Sequence, residues 1–346
     1  MSSGLLSPAR EYPSHSNSLW RRLLLRQEAV VIALLLAAWI VASVRVEHFS
    51  GPITLTYLLL DVAPILIMAL PMTLIIVSGE IDLSVASIFG LCSVVLGDLH
   101  EAGLPMEVAG LIAVIVGVLS GLVNGFLVTV VGLPSLAVTI GTLALYRGLA
   151  VGLLGTNAIT DFPEFWTELA KSNVADTPIP TVVLLLVILV VGFAVLLQGT
   201  PFGQGVYAIG LSSETAAFSG VRVRRTKLIL FVLSGACAGL AGIYYTLRFG
   251  NSIGSNGIGL ELAVIAAVVL GGTSIFGGRG TVVGTVAGVL LIATLASALR
   301  LARVPANAID IVTGAILVMS MIISVSAARI SSTRRSSVKQ GDGVAR

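Results

Sequence analysis

Repeated apolar runs constrain this chain more than any other feature. Ten runs of about 17–25 residues recur along 346 residues, of which 56% are hydrophobic and 11% charged. A run of this length is what an α-helix needs to cross the hydrocarbon core of a bilayer. The sequence therefore predicts an all-α polytopic membrane protein. The predicted spans are 28–46, 54–78, 83–99, 107–130, 134–155, 180–198, 227–247, 261–276, 283–300 and 306–326, the third and eighth being short.

The polar segments between and beyond these runs are short. None of them is long enough to bury a hydrophobic core of its own, so we expect no separate soluble domain. The predicted parts are a cytoplasmic tail (1–27), a transmembrane domain (28–326), a cytoplasmic loop within that domain (199–226) and a second cytoplasmic tail (327–346).

The distribution of lysine and arginine predicts the orientation. An even number of spans puts both termini on one side, and that side then carries fourteen of the twenty Lys and Arg residues. The other side carries five, and Arg147 lies within a span. Because positive charge concentrates on the cytoplasmic side, we expect both termini in the cytoplasm. The net charge of +3 thus reflects topology and indicates no nucleic acid, while the basic C-terminal tail is expected to contact anionic membrane lipid.

The one sizeable polar stretch expected in the cytosol, 199–227, contains a pattern typical of a very short helix. Ser213 suits the N-cap, Glu214 suits the positive first turn, and Gly220 suits a left-handed stop. A helix this short is unstable alone and must dock on something. It either lies on its own transmembrane bundle or fits a groove of a partner protein. Its residues are Ser213, Glu214, Thr215, Ala216, Ala217, Phe218, Ser219 and Gly220.

The two halves of the chain share a pattern. An acid between two aliphatic residues precedes the third span as Asp82 and the eighth as Glu261, an offset of 179 residues. Glycines spaced by four also recur, and they let two helix backbones approach closely in a membrane. Matching units of opposite orientation, spans 2–5 and 7–10, are typical of transporters. The predicted packing glycines are Gly117, Gly121 and Gly125 at span four and Gly280, Gly284 and Gly288 at span nine.

Several polar residues fall at membrane depth, where a charge is costly unless it is paired. Helical rise places Arg147 about 20 Å from the inner face and Asp310 about 7 Å from the outer face, so we expect an ion pair between them. Asp82 is expected to cap the N-terminus of the third span. The candidates for the translocation pathway are Asp82, Asn124 and Glu261.

The sequence gives little support for an enzymatic function. The glycine-rich run 270–280 lacks the Gly-Lys-Ser/Thr ending of a phosphate-binding loop, and no βαβ pattern surrounds it. No histidine lies within a span to activate a serine, and the three histidines lack metal-ligand spacing. Cys92 and Cys237 lie inside apolar runs, as core residues do. We therefore expect no catalytic residue, no cofactor and no metal.

Four segments carry a family resemblance. In chain order they are 79–84 (GEIDLS), 214–220 (ETAAFSG), 238–243 (AGLAGI) and 266–278 (AAVVLGGTSIFGG). They resemble the permease subunits of bacterial ABC importers for monosaccharides, the ribose/xylose/arabinose branch. The resemblance covers roughly residues 30–325, in the family's order.

The details vary within that branch. Glu80 stands where the ribose type has glycine, Ala86 replaces a later small glycine, and Ala263 stands where an aspartate is common. The run 69–79 (ALPMTLIIVSG) looks closer to the rhamnose and autoinducer-2 permeases. The resemblance therefore implies a cargo that is rhamnose-like, ribose-like or autoinducer-2-like.

The resemblance also implies partners. Cytoplasmic ABC ATPase subunits would supply the energy, and the helix at 214–219 would sit in a groove of the ATPase. An extracytoplasmic sugar-binding protein would deliver the cargo. Two permease copies, identical or paralogous, would form the pathway across the bacterial inner membrane. The chain itself would not be an enzyme.

Two other classes of protein stay open. An ion-coupled secondary sugar transporter would need ionisable or unwound-helix coupling sites at the midplane, and the sequence offers few of them. A structural or regulatory membrane subunit is the third class. Uptake by this chain alone, driven by an ion gradient, would distinguish the secondary transporter from the ATP-driven importer.

Overall fold

The helices follow the apolar runs. The computed structural model describes residues 27–305 together with 308, 311, 312, 314, 315 and 318. The regular secondary structure of this part of the chain is almost entirely helical. The helices are α1 Gln27–Arg45, α2 Pro52–Val77, α3 Val85–Glu101, α4 Met106–Phe126, α5 Ser135–Leu154, α6 Glu164–Lys171, α7 Val182–Gln198, α8 Pro201–Leu211, α9 Ser213–Phe218, α10 Val223–Phe249, α11 Leu260–Leu270 and α12 Val282–Leu301. A π-helical turn, Leu127–Val131, follows α4, and strands β1 (Ala158–Ile159) and β2 (Ser252–Ile253) pair antiparallel.

Six described helices are long and apolar enough to cross a membrane: α1, α2, α4 with its π-helical turn, α5, α10 and α12. Helices α7 and α8 together form a seventh candidate, with a bend of 65° between them. The all-α polytopic fold is therefore confirmed. The 17 residues of α3 and the 11 of α11 rise about 25 Å and 16 Å, which is less than the hydrocarbon core of about 30 Å. Most of the tenth predicted span, 306–326, lies outside the described residues.

Helix α2 lies at the centre of the bundle and is buried along most of its length. Its Pro64 has no N–H to donate to the carbonyl oxygen of Leu60. The hydroxyl of Tyr244 in α10 donates to that oxygen instead, at 3.4 Å. A neighbouring helix thus satisfies the backbone group that proline frees, as burial in a membrane requires.

The contacts between helices follow the predicted repeat. Helix α2 packs against α10. The two helices that follow α2, α3 and α4, pack on α10, and the two that follow α10, α11 and α12, pack on α2. Exchanging the two halves reproduces this pattern of contacts, as an internal repeat requires.

Glycines bring two pairs of helices close together. A Cβ on Gly121 of α4 would overlap the carbonyl oxygen of Phe231 in α10. A Cβ on Gly284 of α12 would overlap the carbonyl oxygen of Gly271, just after α11. Such contacts are made between backbones, which only small residues permit. Gly280 precedes α12 and is not part of it. The other predicted glycines lie at the same two contacts: Gly117 and Gly125 face α10, and Gly288 faces α11.

Loops predicted on the same side of the membrane contact one another. On the side of the α2–α3 turn, the Gly278 N–H donates to the Val77 carbonyl at 2.8 Å, and the Tyr207 hydroxyl donates to the Gly280 carbonyl at 2.6 Å. On the opposite side, β1 and β2 join the loop after α5 to the loop after α10. This grouping of the loops agrees with the order in which the predicted spans cross the membrane.

Candidate functional site

Helix α9 lies where the very short helix is predicted, but its N-cap is one residue earlier. The side chain of Ser212, not Ser213, accepts a hydrogen bond from the Thr215 N–H at 3.2 Å. The two adjacent serines are equivalent by type, so the sequence alone did not separate them. Gly220 has a φ of +88° and ends the helix in the left-handed region, where glycine is unstrained.

The surface of α9 is almost wholly exposed. Ala216 is buried, whereas Glu214 is exposed and Phe218 is 93% exposed. A helix that lay on its own bundle would bury its apolar end, and α9 instead turns that end outward. The other predicted residues, Ser213, Thr215, Ala217, Ser219 and Gly220, are partly or fully exposed.

A cleft of about 520 Å³ lies between α9 and the start of α10. Glu214 and Ala217 line it on the side of α9, and Arg222, Arg224 and Arg225 line it on the side of α10. Three guanidinium groups against one carboxylate make the cleft positive. Acidic groups of a partner would therefore be favoured there.

The sequence did not predict α8. Its glycines and its place in a polar stretch indicated a loop, yet residues 201–211 form a helix whose N-cap, Thr200, accepts from the Gly203 N–H. A Cβ on Gly210 would overlap the Val77 carbonyl at the end of α2. Gly210 thus allows α8 to approach α2. Thr200 followed by Pro201 is an N-terminal helix signal that could have revealed it.

The α2–α3 turn is bound to α10 by an ion pair. The Nζ of Lys227 lies 2.5 Å from Oε1 of Glu80, and each side chain is about one-sixth exposed. Lys227 is in the second turn of α10, close after α9. The turn is therefore attached to the same helix end that carries the candidate coupling helix. Glu80 departs from the ribose type, and its partner lies 147 residues away in the chain, where no local pattern marks it.

Asp82 is completely buried and its carboxylate is fully hydrogen-bonded. Oδ1 accepts from the N–H of Ser84 at 3.0 Å and from its hydroxyl at 2.6 Å, and Oδ2 accepts from the Ser234 hydroxyl at 2.8 Å. The expected N-cap role needs correction, because α3 begins at Val85 and the residue before it is Ser84. The Oδ1 of Asp82 instead accepts from the N–H two residues later, which forms an Asx turn. Its Oδ2 contacts Ser234 of α10.

Asn124 extends the same cluster into α4. Its Nδ2 donates to the Ser84 hydroxyl oxygen at 2.7 Å, and the side chain is completely buried. Its Oδ1 has no hydrogen-bond partner within the described residues. The structure therefore joins Asp82 and Asn124, two of the three pathway candidates, through a single serine.

Residues 79–84, which we name the first re-entrant segment, enter the bundle from one end. Glu80 contacts α10 at Lys227, and Asp82 contacts it at Ser234. Seven residues of helix separate these contacts, a rise of about 10 Å. The chain thus penetrates the bundle in an irregular conformation before α3 begins.

Residues 250–259, which we name the second re-entrant segment, enter from the opposite end and run back along α3. Ser252 packs against Gly97, and further on a Cβ at Gly257 would approach the carbonyl of Ala86. Gly97 and Ala86 are eleven residues apart on α3, about 16 Å of rise. Helix α11 then starts from this depth, with Glu261 in its first turn.

Arg147 of α5 holds the second re-entrant segment. Its Nη1 donates to the carbonyl oxygen of Asn256 at 2.6 Å. A Cβ on Gly90 of α3 would lie 2.5 Å from the same oxygen, so glycine is needed where the segment passes between α3 and α5. Asn256 also donates through Nδ2 to the Ser93 hydroxyl at 3.0 Å. Asp310, the partner predicted for Arg147, lies outside the described residues.

Glu261 lies apart from the Asp82 cluster. It lies in the first turn of α11, five residues after Asn256, whose carbonyl oxygen Arg147 binds. Its Oε2 is buried and has no hydrogen-bond partner within the described residues. The structure therefore joins the third pathway candidate to neither Asp82 nor Asn124 by a hydrogen bond among the described residues.

A second ion-pair cluster joins α2 to the last turns of two other helices. The Asp61 carboxylate of α2 contacts the guanidinium of Arg248 at 2.5 Å and that of Arg300 at 2.7 Å. Both arginines are in the last turn of their helices, α10 and α12. The sequence placed Asp61 within a span but could not show its partners, 187 and 239 residues away.

Comparison with known proteins gives one family and several relatives. Residues 54–321 match the family described as the permease component of branched-chain amino acid transport systems. The chain is also similar to two proteins named autoinducer 2 import system permease protein LsrD. That of Yersinia pseudotuberculosis serotype O:3 (strain YPIII) is 37% identical over 262 residues, 74% of this chain and 78% of the relative. That of Escherichia coli (strain SMS-3-5 / SECEC) is 36% identical over 74% and 79% of the two chains. No solved structure matches the chain.

Proposed function

Because this chain belongs to the family of permease components of branched-chain amino acid transport systems, we propose that α9 couples it to an ATPase that drives import of a sugar-like molecule. The chain is the membrane permease subunit of an ABC importer. It is not an enzyme, since a separate ATPase subunit hydrolyses ATP. Such a permease works with an ATPase and with a binding protein that delivers the cargo. Family membership thereby sets aside the ion-coupled alternative.

The exposure of α9 carries the proposal for the coupling role. Phe218, 93% exposed, and Glu214 project from a helix too short to be stable without further contacts. An aromatic anchor beside a positive cleft fits a groove that offers an apolar pocket and acidic groups. We propose that α9 binds in such a groove on a cytoplasmic ABC ATPase subunit.

Two connections would carry movement of α9 into the membrane. Only a short turn, 219–222, separates α9 from α10, which continues without interruption for 27 residues. The Glu80–Lys227 ion pair joins the start of α10 to the first re-entrant segment and so to α3. Displacement of α9 by the ATPase would therefore reach both α10 and the Asp82 cluster.

We propose that this α9-bearing side is cytoplasmic, as are both termini. The positive-inside distribution supports this orientation, with four Lys and Arg residues at 222–227 alone. The loops of the opposite side, including α6, would then face the binding protein.

We propose that a second permease copy, identical or paralogous, contacts α5. One face of this helix exposes small residues at intervals of three or four, and no atom of the described chain covers its glycines. Helices in membranes associate through such faces. The small residues are Ala137, Gly141, Ala144, Gly148 and Gly152.

The cargo we propose is a small neutral molecule rich in hydroxyl groups, rhamnose-like, ribose-like or autoinducer-2-like. The named relatives support it, because they are autoinducer 2 import permeases. The helix termini also support it. The positive N-termini of α3 and α11 already have Asp82 and Glu261 close to them, so neither terminus needs an anionic cargo.

Exchange of the exposed aromatic residue tests the coupling role. Phe218→Asp places a carboxylate at the proposed apolar pocket and should weaken retention of the candidate ATPase subunit at least about tenfold in a pull-down from solubilised membranes. Glu214→Arg should act in the same direction. Membrane insertion should remain normal, because neither side chain is buried.

Phe165→Asp is the matched control. Phe165 of α6 is 67% exposed, but it lies on the side we assign to the binding protein, so ATPase retention should not change. Normal retention of the ATPase by Phe218→Asp would contradict the coupling role. Labelling of a cysteine at Ser219 by an impermeant thiol reagent added from outside would contradict the orientation.

A further inference from the structure

Two large apolar side chains besides Phe218 project from the side of the protein that carries α9. Leu211, the last residue of α8, is 74% exposed, and Phe276, in the loop between α11 and α12, is 73% exposed. Among the described residues, Phe218 alone is a more exposed aromatic residue than Phe276. Residues 274–279, which we name the Phe276 turn, are therefore a second candidate contact for a partner.

These side chains belong to segments that touch. A Cβ on Gly278 would lie 2.6 Å from the Cδ2 of Leu211. A Cβ on Gly277 would lie 2.8 Å from the carbonyl oxygen of Gly210. Leu211 is followed directly by Ser212, whose side chain caps α9. The Phe276 turn, the end of α8 and the start of α9 thus form one continuous surface.

The Phe276 turn has a defined conformation. The N–H of Gly277 donates to the carbonyl of Ser274 at 2.9 Å, which closes a β-turn with Phe276 in its third position. The N–H of Ser274 donates to the carbonyl of Arg279 at 3.0 Å and closes the base of the loop. The φ of Gly277 is +82°, a left-handed value that glycine adopts without strain. Because the turn is already ordered, binding of a partner costs little backbone entropy.

The turn covers the C-terminal end of α2, the central helix of the bundle. The N–H of Gly278 donates to the carbonyl of Val77 at 2.8 Å, and a Cβ on Gly277 would lie 3.1 Å from the Cα of Gly79. Residues 66–77 of α2 are all buried, so its end lies inside this face of the bundle and away from the margin. Lipid surrounds the margin of a bundle, so a protein suits the exposed side chain of the turn better than lipid does.

The charge of this surface points to a separate, acidic partner. Arg279 of the turn is exposed, and the cleft beside α9 is positive. The two tails of the chain are also basic: residues 1–27 contain four Lys and Arg and one acid, and residues 327–346 contain five and one acid. Because like charges repel, neither tail suits this surface, whereas a partner with acidic groups does.

We propose that the Phe276 turn is a second docking contact for the ATPase subunit, an inference that rests on the coupling role proposed for α9. Phe276 and Leu211 pack against an apolar area of the ATPase beside the groove that takes α9. Acidic groups at the edge of this area face Arg279. An apolar centre with a charged edge is the usual composition of a protein interface.

The second contact extends the reach of the ATPase within the permease. Helix α9 leads into α10, whereas the Phe276 turn joins α11 to α12 and is bonded to the end of α2. A body held at one point can rotate about that point, and a body held at two points transmits its rotation. Rotation of the ATPase therefore reaches the central helix directly, as well as through α10.

Photocrosslinking in the complete importer, with its ATPase and binding protein, tests the contact. Phe276 is replaced by the photoreactive p-benzoyl-L-phenylalanine, and the adduct formed on irradiation is identified by mass spectrometry. We expect an adduct with the ATPase subunit, as for the same replacement at Phe218. Phe126 is the matched control: it is exposed but lies within the apolar span of α4, so the probe there should give no ATPase adduct.

Removal of the aromatic side chain measures how much the contact contributes. Phe276→Ser should weaken retention of the ATPase about tenfold in a pull-down, because burial of a phenylalanine stabilises a complex by at least that factor. The loss should remain in high sodium chloride, since salt screens charges and leaves an apolar contact in place. Phe276→Trp should retain the ATPase. Phe165→Ser, on the opposite side, is the control and should change nothing.

Failure of the second contact and failure of the coupling role give different results. If the probe at Phe218 captures the ATPase and the probe at Phe276 captures lipid, another permease copy or nothing, the second contact is wrong and the role of α9 stands. If neither probe captures the ATPase, both proposals are wrong. Full retention of the ATPase by Phe276→Ser would also overturn the second contact.

Discussion

The two re-entrant segments enter the bundle from opposite ends, and each is followed by a short helix. Each also has an acid near the start of that helix, Asp82 in the first half and Glu261 in the second, 179 residues apart. Their acids differ in how far the protein satisfies them. Asp82 is buried and accepts three hydrogen bonds from Ser84 and Ser234. Glu261 retains a buried oxygen without a partner in the described structure. The two acids of the repeated motif are therefore not equivalent in their hydrogen bonding.

The difference follows from the neighbours. The Asp82 carboxylate is bonded by Ser84 of its own segment and by Ser234 of α10, and Asn124 of α4 bonds Ser84 in turn. The hydrogen bonds of the second segment come from residues that precede Glu261, namely Ser252 and Asn256. The acid of the first segment thus takes part in holding its segment, and no hydrogen bond to the Oε2 of Glu261 does so in the described structure.

The largest effect that tests this comparison is on stability. Asp82→Ala should lower the free energy of unfolding by about 3 kcal/mol or more, because it leaves buried hydroxyl and N–H donors without an acceptor. Glu261→Ala should cost less than about 1 kcal/mol, since its Oε2 makes no hydrogen bond in the described structure. The buried thiols of Cys92 and Cys237 provide the measurement, by reaction with a thiol dye during heating in detergent. Equal losses in the two variants would abolish the distinction between the segments.

An intermediate effect concerns the passage of the second segment between α3 and α5. Gly90→Ala forces the Asn256 carbonyl and Arg147 to move, and we expect a loss of about 1–3 kcal/mol in the same thermal assay. Gly192→Ala, in α7 where an added methyl group would meet no atom of the described chain, is the matched control and should be neutral or slightly stabilising. A neutral Gly90→Ala would mean that the segment is not confined there.

The smallest effect concerns the attachment of the first segment to α10. Glu80→Ala and Lys227→Ala should each destabilise modestly, with a coupling energy of about 1 kcal/mol in a double-mutant cycle, because the pair is partly exposed. The thermal assay is repeated at high salt, which should reduce the coupling. A coupling near zero would show that Ser234 and Asp82 hold the segment without help from the ion pair.

The sequence predicted those parts of the molecule that depend on local pattern. Apolar runs located the spans, and the serine, glutamate and glycine of 213–220 located α9 within one residue. Helix α8 was missed because glycine counts against a helix by propensity, and the close approach to α2 that makes Gly210 necessary is a tertiary fact.

The partners of the charged residues were less predictable. Asp61 meets Arg248 and Arg300 only once three helices are assembled. Arg147 binds the carbonyl of Asn256, and because every residue has a carbonyl, no side-chain pattern marks that one. Depth along a helix suggested a charged partner for Arg147 and could not reveal a backbone acceptor.

The glycine contact between α4 and α10 has a mechanical consequence. Gly117 and Gly121 meet the backbone of α10, so no interlocking side chains fix the two helices in one register there. Shear between packed helices is limited chiefly by interdigitated side chains, and this boundary is comparatively smooth. We therefore expect helix α10, about 40 Å long, to shift along α4 more readily than it would past interlocked side chains, between its junction with α9 and Arg248 at its far end.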